Sequence, residues 1–194
     1  MVDSPGRDLL VTAAHCVVAP GSGKARNDLM FVPGYVSGRA PYGRWAVRRA
    51  VVDTHWAHQG DQNYDVAFLT TAPMDGQGRV QDAVGSEALD FIADVDPVPA
   101  VAVGYPDRTE RPVHCLSRLR GFGAGQLEFD CPGLPGGTSG SPLLAGALPT
   151  GSGRGAVVGV IGGYQTGGNT DDISYSPRFG PLIAAVYRTA VAQG

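Results

Sequence analysis

Pro135-Gly136-Gly137-Thr138-Ser139-Gly140-Ser141-Pro142 places a serine in a turn crowded with glycine, directly ahead of a short apolar stretch. Two other stretches give that turn its meaning. Thr12-Ala13-Ala14-His15-Cys16 ends an apolar run on a histidine, and Asn63-Tyr64-Asp65-Val66-Ala67-Phe68-Leu69 sets an aspartate at the head of an apolar strand. A serine hydroxyl is a weak nucleophile at neutral pH. It needs a base within hydrogen-bond reach, and imidazole has a suitable pKa. The imidazole needs a carboxylate that fixes its tautomer and steadies its positive charge. A developing oxyanion needs backbone N–H donors, which glycine lets a chain turn inward. Singly, the stretches read as a packed histidine, a turn aspartate and a Gly-Ser turn. Jointly, the order His, Asp, Ser is one of the known serial orders of a catalytic triad.

The rest of the chain suits such a site. Among 194 residues are 29 glycines and 15 prolines, with 17% charged and 43% hydrophobic residues. Ample apolar material and a net charge of −3 exclude disorder, and frequent Gly and Pro exclude long helices. An all-β chain of short strands and tight turns is expected. The charge gives no electrostatic reason to bind nucleic acid or an anionic membrane. No apolar run is long enough to span a membrane. Met1 to Asp8 are polar and lack the apolar core of a signal peptide. Cys16, Cys115 and Cys131 are an odd number, so at least one lacks a partner within the chain.

Strands are expected at Leu9 to Ala14, Leu29 to Val36, Trp45 to Val52 and Asp65 to Thr70. A polar loop from Asp53 to Asn63 and a connection from Pro73 to Gly85 lie between them. Residues near 85 to 97 read as the link between two halves. Further strands are expected at Val98 to Gly104, Val113 to Gly121, Gln126 to Asp130, Pro142 to Leu144, Ala156 to Gly162 and Asp172 to Arg178. Pro181 to Ala192 reads as a helix, with proline in its first turn and no internal glycine. Gly121 to Gly125 reads as a hairpin turn, and Trp45 and Trp56 as partly buried packing residues.

The three stretches resemble the motifs of trypsin-like (chymotrypsin-fold) serine peptidases, especially bacterial secreted members. Thr12 to Cys16 matches the histidine motif residue for residue, and Tyr64-Asp65-Val66-Ala67 matches the aspartate motif. Gly137 to Pro142 is similar to the serine motif, with Thr138 and Ser141 departing. The resemblance covers most of the chain. It implies two antiparallel β-barrels, residues 1–90 carrying His15 and Asp65, and residues 91–194 carrying Ser139 and the terminal helix. It implies a serine endopeptidase acting through an acyl-enzyme, with Ser139 as nucleophile, His15 as base and Asp65 as orienter. The N–H groups of Gly137 and Ser139 would form the oxyanion hole. Gly162-Gly163-Tyr164 would pair with substrate backbone, and Gly133 would stand at the pocket floor. Cys115 and Cys131 resemble a disulfide bracing the pocket wall, the alternative being two free buried thiols. Protein or peptide substrates, no cofactor, no metal, a monomer and secretion (or the cytoplasm, should Met1 be the true start) are the matching expectations.

Thr138 replaces the aspartate that pairs with a newly cut N-terminus in animal members, so activation by that ion pair is not expected. Only fourteen residues precede His15, fewer than the family places there. The first barrel is therefore expected to lack strands, with the partner of Cys16 lost alongside them. A rival reading follows: an N-terminally truncated or catalytically weak peptidase-like domain that binds proteins. No acidic residue stands at Gly133 to Pro135, and Val160 and Ile161 stand where Glu-specific relatives carry histidine. An apolar or small residue at the cut site is expected, with Asp171 and Asp172 close enough in sequence to alter this. Asp53, His55, His58 and Asp61 suggest a metal cluster but read as a surface loop. Pro20 to Lys24 lacks the spacing of a phosphate loop.

Overall fold

The computed structural model describes residues 1–74, 76–91, 96–107, 109–147 and 155–194. Residues 92–95 of the expected link lie outside the described residues. β1 (Leu9–Thr12), β2 (Met30–Phe31), β3 (Trp45–Val52) and β4 (Ala67–Pro73) form one antiparallel sheet in the order β1-β4-β3-β2. β4 is its central strand. Ala67 to Thr71 are buried on both faces, which explains the unbroken apolar start of this segment.

The second sheet contains β5 (Ala88–Leu89), β6 (Val98–Gly104), β7 (Val113–Phe122), β8 (Gln126–Asp130), β9 (Pro142–Ala145), β10 (Ala156–Val160) and β11 (Ile173–Pro177). Its order is β11-β8-β7-β6-β9-β10-β5, antiparallel except for the short β10–β5 pair. β7 shows the period of two that marks a strand with one wet face. Cys115, Ser117 and Leu119 point inward while His114, Arg118 and Arg120 are exposed. Gly123 and Gly125, both at positive φ, close its hairpin with β8.

Both sheets curl, and each makes a half-barrel of the trypsin-like fold. The C-terminal helix, Pro181–Gln193, packs where they meet. Its Ile183 and Val186 share a core with Val66 and Phe68 of the first half and with Val157 and Val160 of the second. β1 and β2 are the end strands of the first sheet, and the face between them is open.

Several elements differ from the expected ones. β2 stops at Phe31, because Pro33 has no N–H for a ladder and Gly34 turns the chain at φ 65°. β10 ends at Val160 rather than Gly162. The expected loop from Asp53 to Asn63 contains α1 (Thr54–Gln59). Asp53 caps it by accepting from the His55 N–H at 2.7 Å, and Gly60 ends it in the left-handed region. The connection after Pro73 contains α2 (Val80–Val84), and Pro181–Gln193 is α3. Trp45 and Trp56 are fully rather than partly buried. Their indole N–H groups donate to Gly78 O and Val18 O.

Candidate active site

Asp65 has no exposed surface, and every strong contact of its carboxylate is to the candidate site. Oδ1 accepts the backbone N–H of His15 at 2.8 Å. Oδ2 lies 2.7 Å from His15 Nδ1 and accepts the Gly163 N–H at 2.8 Å. Three donors therefore fix a charge that would be costly to bury unpaired. His15 lies just past β1 in a single 3₁₀ turn, Ala14–Cys16, and Asp65 just before β4. β1 and β4 pair antiparallel with Thr12 opposite Ala67, so the ladder itself brings the two stretches together.

Protonated at Nδ1, the ring donates to Asp65 and leaves Nε2 available as an acceptor. Burial, the largest single influence, disfavours imidazolium. Hydrogen bonding to Asp65 and Cys16, and their charges, outweigh it and raise the His15 pKa above its usual 6.5.

Ser139 is carried by the loop between β8 and β9, which rests on the end of β1. A Cβ on Gly140 would strike Thr12 Oγ1 and stand 3.3 Å from Ala13 N, so only glycine permits this approach. Thr138 is buried and spends its hydroxyl locally, donating to Pro135 O at 2.7 Å. Gly140 N–H donates to Ile161 O at 2.8 Å and Thr138 N–H to Pro135 O at 3.2 Å. Between these, the N–H groups of Gly137 and Ser139 donate to no acceptor among the described residues. Gly137 has φ 93°.

Ser139 belongs to the walls of two cavities. One, of about 140 Å³, is lined by Leu134, Thr138, Ile161, Thr166, Asn169 and Asp171, among others. The other, of about 360 Å³, opens into the first half-barrel between β1 and β2 and includes Cys16, Gly104, Tyr105 and Gly137. Gly133, expected at a pocket floor, lies outside both linings. Its N–H donates to Asp171 O, while Leu134 lines the smaller cavity.

Gly162, Gly163 and Tyr164 border the site, but as a bend and not as a strand edge. Their N–H groups are occupied, Gly162 donating to Tyr175 O, Gly163 to Asp65 and Tyr164 to Gln126 Oε1. Gly162 also admits Asp65, whose Oδ2 would lie 3.1 Å from a Cβ there.

Sequence reasoning missed Gln126. Its Nε2 donates to Gln62 O at 3.1 Å and to Asn63 Oδ1 at 2.8 Å, and its Oε1 accepts from Tyr164 N–H at 3.1 Å. One buried amide thus ties the turn before Asp65 to the segment after Ile161. A polar residue at a buried position opening β8 was its only local signal.

Cys115 and Cys131 form a disulfide with Cα atoms 6.2 Å apart, joining β7 to the root of the serine loop. Cys16 is free. The polar residues from Asp53 to Asp61, read as a surface loop, make local contacts. Asp53 caps α1, Asp61 accepts from Asn63 N–H, and His55 stacks on Tyr64.

No protein-family model matches the chain, and no curated protein matches it significantly. Solved structures do. The protease Anisep from Arthrobacter nicotinovorans superposes with a TM-score of 0.85 at 30% identity, over 98% of this chain and 86% of that one. A thermostable serine protease, AL20, from an extremophilic microorganism gives 0.85 at 26% identity, over 100% and 89%. A Glu endopeptidase shares the fold at 0.80 with 17% identity, over 100% and 84%. The likeness to Anisep extends over nearly the whole chain and reaches beyond fold into sequence, and on that ground the chain belongs to the trypsin-like serine peptidases and is a serine endopeptidase.

Proposed function

We propose that Ser139, His15 and Asp65 are the catalytic triad and that peptide bonds are cut through an acyl-enzyme. The observation that carries this reading is the buried Asp65 carboxylate, held by three donors and turned onto Nδ1 of His15. In the first step Ser139 Oγ attacks the scissile carbonyl carbon, and its proton passes to Nε2 of His15. The carbonyl oxygen becomes an oxyanion facing the N–H groups of Gly137 and Ser139. Collapse of the tetrahedral intermediate breaks the C–N bond, and His15 returns its proton to the leaving amine. Water, deprotonated by His15, then attacks the ester and frees Ser139. Asp65 orients the ring and steadies its positive charge.

The smaller cavity, beside Ile161 and Thr166, takes the side chain on the acyl side of the bond. About 140 Å³ suits a short or medium side chain. The disulfide supports an oxidising compartment and hence secretion.

A fluorophosphonate probe tests the triad. Labelling of Ser139, abolished in Ser139→Ala and strongly reduced in His15→Ala, is expected. A folded wild-type protein that takes no label overturns the reading and leaves the rival, a protein-binding domain of this fold.

A further inference from the structure

We propose that Asp107 makes the leaving-group side of the site select substrates with Lys or Arg within the first two residues after the scissile bond. This rests on the triad reading above. With the acyl side assigned to the cavity beside Ile161, the leaving peptide runs out over the opposite flank of Ser139. Gly104, Tyr105 and Gly137 stand on that flank. The chain at 105–107 is bound to the serine loop there, Asp107 N–H donating to Gly136 O at 2.8 Å.

The Asp107 carboxylate leans onto the proposed oxyanion donor itself. A Cβ on Gly137 would strike Asp107 N and stand 2.5 Å from its Oδ1 and 2.9 Å from its Cγ, so the backbone and carboxylate of Asp107 together occupy the space a side chain would take. Asp107 is exposed and forms no ion pair or side-chain hydrogen bond with a described residue. No described residue competes with a ligand for its charge.

The neighbouring wall favours the same partner. Tyr105 is 37% exposed, and its hydroxyl is anchored to Tyr35 O at 2.7 Å, which holds its ring in place. A fixed aromatic face beside a carboxylate suits a guanidinium or ammonium group. Tyr35 is itself held, its hydroxyl donating to Glu110 Oε1 at 3.1 Å. A leaving-side Glu or Asp would meet like charge.

The test uses internally quenched peptides with one common acyl side and Lys, Ala or Glu at the first or second leaving-side position. Each enzyme is read as its own ratio of kcat/KM for Lys over Glu, so changes in overall rate cancel. Wild type should favour Lys by about fivefold, as expected of an exposed charge that attracts Lys and repels Glu, and salt should erode the ratio. Asp107→Asn should bring the ratio near one, and Asp107→Lys should invert it. No preference in wild type, or one that survives in Asp107→Asn, overturns the proposal. Fluorophosphonate labelling run alongside separates the two failures. A labelled enzyme with no preference sinks only Asp107, and an unlabelled, inactive one sinks the triad reading with it.

Discussion

Asp65 holds His15 twice, by the backbone N–H on one carboxylate oxygen and by ring Nδ1 on the other. Backbone and ring are thus referred to a single rigid group, so the imidazole cannot rotate without breaking a charge-assisted hydrogen bond. Asp65→Asn should preserve the shape but offer an amide where Oδ1 and Oδ2 both accept. We expect kcat to fall by on the order of 10³–10⁴ and stability to fall by about 1–3 kcal/mol. Steady-state kinetics with a chemical melt measure both.

The raised pKa of His15 sets a pH direction. In the proposed mechanism its base form accepts the Ser139 proton, and Asp65 favours imidazolium. The acid limb of kcat/KM should therefore lie above pH 6.5, with activity growing into the alkaline range, and should move down in Asp65→Asn. Stability runs the opposite way. A folded pKa raised above 6.5 contributes stability that is full below that pH and declines as pH rises through the folded value. A limb at or below 6.5 would contradict the stabilised imidazolium.

Gln126→Leu removes three hydrogen bonds and strands Tyr164 N–H. A loss of about 1–3 kcal/mol is expected, and a fall in kcat/KM of about tenfold or more, although Gln126 forms no hydrogen bond with Asp65. Melting curves and hydrolysis rates compared with wild type check this.

Reducing the Cys115–Cys131 disulfide should cost about 3 kcal/mol on the chain-entropy account. Because Cys131 roots the serine loop, KM should rise under reductant before the fold is lost. Paired titration of activity and near-ultraviolet circular dichroism against dithiothreitol would reveal the order.

A panel of substrates varied on the acyl side should prefer short or medium uncharged side chains. If Lys or Arg is best, the Asp171 carboxylate turns into the smaller cavity and governs selection there.

The sequence made legible whatever is local. The His15, Asp65 and Ser139 stretches each announce themselves by residue type, and β3, β6, β8 and α3 follow from composition and pattern. α1 was hidden because six residues with two histidines give no apolar period, and its signal lay in the Asp53 cap and Gly60 stop. The occupied N–H groups of Gly163 and Tyr164 were hidden for a different reason. Their partners, Asp65 and Gln126, lie 98 and 38 residues away. Asp107 is likewise an ordinary turn residue until the fold sets it on Gly137.

The Gln126 amide has a consequence for how the enzyme fails under heat. Two of its three bonds reach back to Gln62 and Asn63, and one reaches forward to Tyr164, so it straddles the seam between the half-barrels. The Gly163–Asp65 bond crosses the same seam. A small parting of the halves, too slight to unravel either sheet, would loosen Asp65, the proposed orienter of His15. Inactivation on warming should then precede melting and reverse on cooling, which makes hydrolysis a more sensitive thermometer of the seam than any probe of β-structure.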